Sequence, residues 1–359
     1  MLARVRFPKD APQHVHDAPR RPARGARMTP AALITGWGYY VPPKVLTNAD
    51  LEAMVQTSDA WIYERTGIRE RHIVEGDEVT SGMATKAAKE ALGRAKVKGE
   101  DLDGIIIATT SPDYFLPTAA CLVQESLGAR KAAVFDLGAA CAGFVYGLAI
   151  ARGLVASGAA RKILLVGAET ISRFIDWTDR TTCVLFGDGA GAVVIEASAA
   201  GAGIQSTALH GDGRQKRHLR LEGGGALHPA ARRGDDGASD FIQMNGPEVF
   251  KLAVPAMADA AKEALAQAGL RLEDVDLFVP HQANARIIEA VAKRLGLDRS
   301  KVFIDIDRFG NTSAASIPIA LCDAVAQGRV RKGDTLVFAA FGGGMTWGAA
   351  VVEWSSPKR

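Results

Sequence analysis

Three polar side chains stand where apolar segments break, which is where reactive groups are held. Cys141 lies in FDLGAACAGF, after the apolar run AAVFDL and before a long apolar, helix-forming stretch. A thiol at a helix N-terminus feels the positive end of the helix dipole, which is expected to lower its pKa and favour the nucleophilic thiolate. The small residues Gly138, Ala139, Ala140, Ala142 and Gly143 suit a tight turn that a substrate can approach. His281 sits in VPHQANARII, where the apolar run LFV ends at Pro280 and a helix begins near Asn284. The carboxyl end of a parallel strand is where α/β enzymes gather catalytic groups. Asn311 sits in DRFGNTSAASIP, and its amide donates a hydrogen bond without carrying charge. Each residue taken singly has a plainer reading: an inert buried cysteine, a satisfied loop histidine, an N-capping asparagine. Cys121, Cys183 and Cys322 keep that plainer reading.

Two glycine-rich stretches, FGDGAGA (186–192) and FGGGMTWG (341–348), lie between apolar runs with no helix following. Neither is a dinucleotide fingerprint. The first reads as a hairpin turn, and the second offers backbone N–H groups to an oxyanion.

The elements that must position these residues are written twice. Ala87–Asp103 (AAKEALGRAKVKGEDLD) and Ala260–Asp276 (AAKEALAQAGLRLEDVD) are identical at ten of seventeen positions without a gap. Each copy reads as a helix, a short acidic turn and a buried strand, GIIIATT in one and LFVPH in the other. Downstream, VASGAARK and VAQGRVRK align, and that register sets Cys141 opposite Asn311 at two strand-to-helix turns. Both following helices are apolar all round and so read as buried. Strand–helix–strand alternation implies largely parallel strands with helices packed on them. The expectation is an α/β chain of two similar halves, 28–200 and 201–359, whose sheets sandwich buried central helices. Residues 209–240, rich in Gly, Arg and Asp, read as a mobile surface loop or lid.

A net charge of +3 is too small to argue for nucleic acid. The four scattered cysteines show no metal spacing and read as reduced thiols of a cytosolic protein. No apolar run reads as long enough to span a bilayer. Residues 1–27, rich in Arg, Pro and His, read as a disordered extension with Met28 as the working start.

Seven stretches in this order, TSDAWIYERTGIRERHI, AACAGF, GDGAGA, MNGPEVFK, VPHQANARII, GNTSAASIP and FGGGMTWG, resemble the thiolase-fold condensing enzymes, specifically β-ketoacyl-acyl carrier protein synthase III. The resemblance covers about Ala31 to Trp354. It implies a duplicated thiolase-like fold in five layers, α-β-α-β-α. It implies that Cys141 accepts an acyl group from acyl-CoA, with the N–H groups of Cys141 and Gly343 as oxyanion donors. His281 and Asn311 would bind the malonyl thioester and stabilise the enolate left by decarboxylation. Trp61 would stack on the CoA adenine, with Arg65 and Arg180 as polar and phosphate partners. Lys251 and Arg286, extended by Lys293 and Arg294, would dock the acidic malonyl-acyl carrier protein. Leu116 and Phe341 would belong to the acyl pocket. The resemblance implies a homodimer and no metal or redox cofactor.

Two positions depart from the family pattern. Pro247 stands where Asn is frequent, and Leu116 stands where Phe is frequent, which leaves room for a longer or branched primer. Three other readings are weaker. A related starter or acyl-transfer enzyme of polyketide metabolism shares the motifs. A papain-like protease shares the order Cys, His, Asn, but Cys141 lies mid-chain without an adjacent Trp or Tyr. A non-enzymatic partner subunit would lack the nucleophile.

Overall fold

A computed structural model describes residues 30–199, 201–232 and 237–355. The expectation for residues 1–27 lies outside the described residues. The first sheet contains β1 (Ala31–Tyr40), β2 (Gly104–Ala108), β3 (Ala133–Leu137), β4 (Lys162–Glu169) and β5 (Gly189–Ser198), in the order β1-β5-β4-β2-β3. Strands β3, β2 and β4 run parallel, and β5 pairs antiparallel with β4 and β1. The second sheet contains β6 (Gly203–Gly211), β7 (Leu277–Pro280), β8 (Thr335–Gly342) and β9 (Thr346–Glu353), in the order β7-β8-β9-β6. Its pairings repeat the pattern, parallel between β7 and β8 and antiparallel beyond. The counterpart of β3 shrinks to one parallel bridge, Phe278 to Val302.

Among the described residues, seven longer helices accompany the sheets: α1 (Asp59–Thr66), α2 (Thr80–Ala95), α3 (Ala119–Leu127), α4 (Gly143–Ser157), α5 (Gly246–Gln267), α6 (Ala285–Leu295) and α7 (Ser316–Ala326). Alternation along the strands decides the layers. In the first sheet, Ile106, Ile163 and Leu165 face the interior shared with α4 and α7, while Ile105, Ile107, Leu164 and Val166 face α2 and α3. In the second, Leu336, Phe338 and Ala340 face that same interior, while Val337, Ala339 and Phe341 face α5 and α6. The result is the five-layered thiolase-like α/β sandwich, with α4 and α7 at its centre.

Helix α4 carries Gly147 and Gly153, each costing about 1 kcal/mol of helix propensity. Burial of Phe144, Val145, Leu148 and Val155 outweighs that at about 1.5–3 kcal/mol each. The stretch Ala140–Ser157 is in fact long and apolar enough to cross a membrane, with mean hydropathy 1.5. That corrects the sequence reading; here two sheet faces cover its apolar side chains. The hairpin reading of FGDGAGA is also corrected. Gly189–Ala192 already lie in β5, paired with both β1 and β4. A Cβ on Gly191 would fall 2.7 Å from Pro318 Cβ and 2.8 Å from Ile319 N, so the glycine lets α7 lie directly on the sheet.

The two halves meet the sequence repeat with one correction of register. Single-turn 3-10 helices precede α4 (Ala140–Ala142) and α7 (Ser313–Ala315), and each opens on a positive φ, Ala140 at 46° and Ser313 at 50°. Cys141 therefore corresponds to Ala314, and Asn311 corresponds to Gly138. The ungapped alignment fails here because α7 has 11 residues against 15 in α4, and the missing residues lie after the turn rather than before it.

Candidate functional site

The 3-10 turn holding Cys141 is pressed from the other half by the glycine-rich turn between β8 and β9. A Cβ on Gly342 would lie 2.6 Å from Cys141 N, so only glycine lets these backbones meet. Thr346 Oγ1 donates to Ala139 O at 2.8 Å and pins that turn to the cysteine turn. Gly343 lines the same cavity as Ala140 and Cys141. This cavity, about 200 Å³, is walled by Ile171, Phe174, Phe186, Leu219, Leu221 and Ile242, with Thr110, Ser313 and Arg220 as polar members.

The short segment Asn311–Ser316 ties the three singled-out residues together. Asn311 Oδ1 accepts from Ser313 N at 2.9 Å, which leaves its amide NH2 as the outward donor. Its backbone exchanges hydrogen bonds with Leu185 O and Gly187 N, so GDGAGA also braces this turn. Ser313 Oγ lies 3.4 Å from Cys141 Sγ. Ser316 Oγ lies 2.6 Å from His281 Nδ1. His281 follows β7, and its N–H donates to Ala339 O of β8 at 2.8 Å.

Burial dominates the electrostatics. Cys141, 7% exposed, has its thiol pushed up to about 12 by burial and by the charge of Glu169, against a lowering hydrogen bond from Ser313. The sequence expectation of a lowered thiol pKa is thus corrected: desolvation outweighs the helix end. Burial holds His281 down to about 3, so its imidazole is neutral at neutral pH. Glu169 and Ser313, which sequence reading missed, complete the neighbourhood. Ser313 sits inside the GNTSAAS motif, whereas nothing around Glu169 marked it.

The indole of Trp61 on α1 is contacted by two guanidinium groups, with Arg65 at 5.0 Å and Arg180 at 4.9 Å from the ring centroid. Asn284 Nδ2 donates to Arg65 O at 3.0 Å, which joins α1 to the start of α6 and brings exposed Arg286 beside it. The other basic residues disperse. Lys251 pairs with Glu248 at 2.7 Å, and Arg294 pairs with Asp259 at 3.5 Å. Lys293 and Arg294 stand in the last turn of α6, about 10 Å of helix rise from Arg286. Leu116, 88% exposed, does not line the cavity, and Phe341 belongs to the outer core against α5 and α6. Of the segment 209–240, read as a mobile loop or lid, residues 233–236 lie outside the described residues, and the described parts include strands and cavity wall. Residues 209–211 end β6, Leu219–Arg220 pair with Gln243–Met244, and Leu219 and Leu221 wall the cavity. Pro247 falls in the first turn of α5, where a missing N–H costs nothing.

Comparison with known proteins accords with this geometry. The family described as 3-oxoacyl-[acyl-carrier-protein (ACP)] synthase III matches residues 135–213, and its C-terminal part matches residues 265–354. The β-ketoacyl-[acyl-carrier-protein] synthase III of Roseiflexus castenholzii is 52% identical over 329 residues, covering 92% of this chain and 100% of the relative. That of Desulfitobacterium hafniense is 52% identical over 322 residues, covering 90% and 97%. The solved Thermus thermophilus synthase III superposes with a TM-score of 0.84 at 48% identity, covering 90% of this chain and 99% of that one. A priming β-ketosynthase from a polyketide pathway superposes as well, at 0.86, but with 34% identity over 93% of this chain and 100% of that one. With half of its residues shared across nearly its whole length, the chain belongs to the β-ketoacyl-[acyl-carrier-protein] synthase III family, the condensing acyltransferases that initiate fatty acid synthesis.

Proposed function

We propose that Cys141 takes the primer from an acyl-CoA as a thioester, and that the loaded acyl group is then condensed with malonyl-acyl carrier protein. The sulfur attacks the acyl-CoA carbonyl carbon, and CoA leaves. N–H groups of Cys141 and Gly343 receive the oxyanion. Malonyl decarboxylation then leaves an enolate whose oxygen accepts hydrogen bonds from neutral His281 and from the Asn311 amide. CO2 having left in that step, the enolate carbon attacks the acyl-Cys141 thioester, the C–S bond breaks, and the β-ketoacyl product forms with the Cys141 thiolate as leaving group. A neutral imidazole suits this role. When Ser316 Oγ–H donates to Nδ1, Nε2 carries the proton and faces the enolate as a donor.

The observation that carries the reading is that one short segment, Asn311–Ser316, hydrogen-bonds both Cys141 and His281 while presenting an asparagine donor. Trp61 flanked by Arg65 and Arg180 supports recognition of an aromatic, phosphate-bearing CoA. The apolar cavity supports an acyl primer longer than or branched beyond acetyl. The chemistry requires only thioester exchange and decarboxylation, and no metal or redox cofactor has a part in it. The exposed Tyr114, Phe115 and Leu116 support a homodimer in which this loop meets the partner subunit, and sedimentation as a monomer would dispose of that arrangement. Four free cysteines support a reducing, cytosolic setting, checked by fractionating the producing cells.

Intact-protein mass after incubation with a panel of acyl-CoAs tests the main reading. One acyl adduct is expected on the wild type and none on Cys141→Ala. Equal loading of both proteins would remove Cys141 as the acceptor.

A further inference from the structure

Glu169, the last residue of β4, is fully buried, and among the described residues no cation pairs with it. An unpaired buried carboxylate costs several kcal/mol, yet the fold surrounds this one with donors instead of an apolar side chain. Ser111 Oγ donates at 2.6 Å, Thr110 N and Oγ1 each at 3.1 Å, and Thr109 Oγ1 at 3.3 Å. The remaining contact points at the nucleophile. Ser313 Oγ stands 3.0 Å from Glu169 Oε1 and 3.4 Å from Cys141 Sγ. A hydroxyl owns one proton and can donate to only one of these neighbours. When it donates to the carboxylate, its lone pair faces the thiol. Ser313 is held for this at φ 50°, a left-handed conformation that costs a non-glycine residue about 1–3 kcal/mol.

We propose that Glu169 is the proton acceptor for Cys141, reached through the Ser313 hydroxyl. The inference rests on the reading of Cys141 as nucleophile. The S–H bond breaks and its proton bonds to Ser313 Oγ, while the Oγ–H proton passes to Glu169 Oε1. The electron pair stays on sulfur, and no net charge enters the site. After attack, the expelled CoA thiolate regains the proton by the reverse path, so thiol and thioester exchange with protons balanced. Burial raises both the Cys141 thiol and the Glu169 carboxyl, as expected of a site that holds one negative charge at a time. The loop 109–111 and the segment 311–316 face this pair with hydroxyls and amides. His281, hydrogen-bonded to Ser316 of that segment, is kept neutral by burial, the β8–β9 turn brings Gly342 and Gly343, and Arg220 is the cation lining the cavity, its guanidinium engaged by Glu222 and Gln243.

The experiment is the pH profile of Cys141 alkylation by iodoacetamide, together with single-turnover acyl loading, in the wild type, Glu169→Gln and Ser313→Ala. Alanine is tolerated in the equivalent left-handed position at Ala140, so Ser313→Ala keeps the test alive if Glu169→Gln does not fold. The expected result is loading slower by roughly 10²-fold in each variant, the lower end of what general-base assistance contributes, with the alkylation inflection displaced to higher pH in Ser313→Ala, which loses a lowering hydrogen bond, and to lower pH in Glu169→Gln, which loses a raising charge yet still loads more slowly. An unchanged inflection, with or without a uniform loss of rate, would assign Glu169 a structural role only. A displacement to lower pH in Glu169→Gln with loading as fast as in the wild type would show that it merely repels the thiolate. Either overturns the relay. Failure of the wild type itself to load would instead overturn the nucleophile reading.

Discussion

At the scale of single residues, the site is governed by how deeply each group is buried. His281 illustrates the sign. Its folded pKa, about 3, lies below the unfolded value near 6.5. The native state therefore binds fewer protons across that window, and stability from this group is complete above pH 6.5 and lost as pH falls toward 3. The difference in unfolding free energy between wild type and His281→Gln should shrink on acidification by up to about 1.4 kcal/mol per pH unit below 6.5. Chemical denaturation at pH 7, 6 and 5 measures it, and a pH-independent difference would contradict a buried neutral imidazole. Cys141 and Asn311 were legible in the sequence because their motifs are local. The pKa of Cys141 was not, because desolvation and Glu169 come from residues distant in the chain.

At the scale of elements, the decisive feature is the contact between two turns from opposite halves. The cysteine turn and the Gly342–Gly343 turn meet with no room for a side chain. In Gly342→Ala the new Cβ would press on Cys141 N at 2.6 Å and on Ala142 N and Ala140 Cβ at 3.1 Å, and the two nitrogens are backbone that cannot swing away. The expected cost is about 1–3 kcal/mol of stability, typical of overpacking. If Cys141 is the acyl acceptor as proposed, acyl loading should fall by at least tenfold as its sulfur leaves its attack geometry. Thermal melting and loading rates measured on one preparation check both, and a variant with wild-type loading would mean that this approach does not position Cys141. Strand periodicity and the repeated Ala/Leu/Lys/Glu helices made the layers readable in advance. FGDGAGA was misread as a turn because glycines that permit helix–sheet contact look the same in sequence as glycines that permit a bend.

At the scale of the whole molecule, the surface around the site is organised by the junction of α1 and α6. It ties Arg65 to Asn284, whose Oδ1 accepts from Arg286 N, and leaves Lys293 and Arg294 at the far end of α6. Arg286→Glu should raise KM for malonyl-carrier protein by about tenfold, equivalent to about 1.4 kcal/mol. CoA loading should change much less, and added salt should narrow the gap. Steady-state kinetics of the two half-reactions decide this, with equal losses in both speaking against a docking role. The α/β class and the duplication could be read from the chain alone, and Cys141, His281 and Asn311 stood out as candidates, since each rests on local patterning or on a motif of adjacent residues. The three-residue shift between the halves, the cavity wall from 219–221 and the Glu169–Ser313–Cys141 contact emerged only from the folded molecule. Those depend on which backbones approach across the central layer, and close packing between residues 28 and 172 positions apart leaves no periodic signature in the chain.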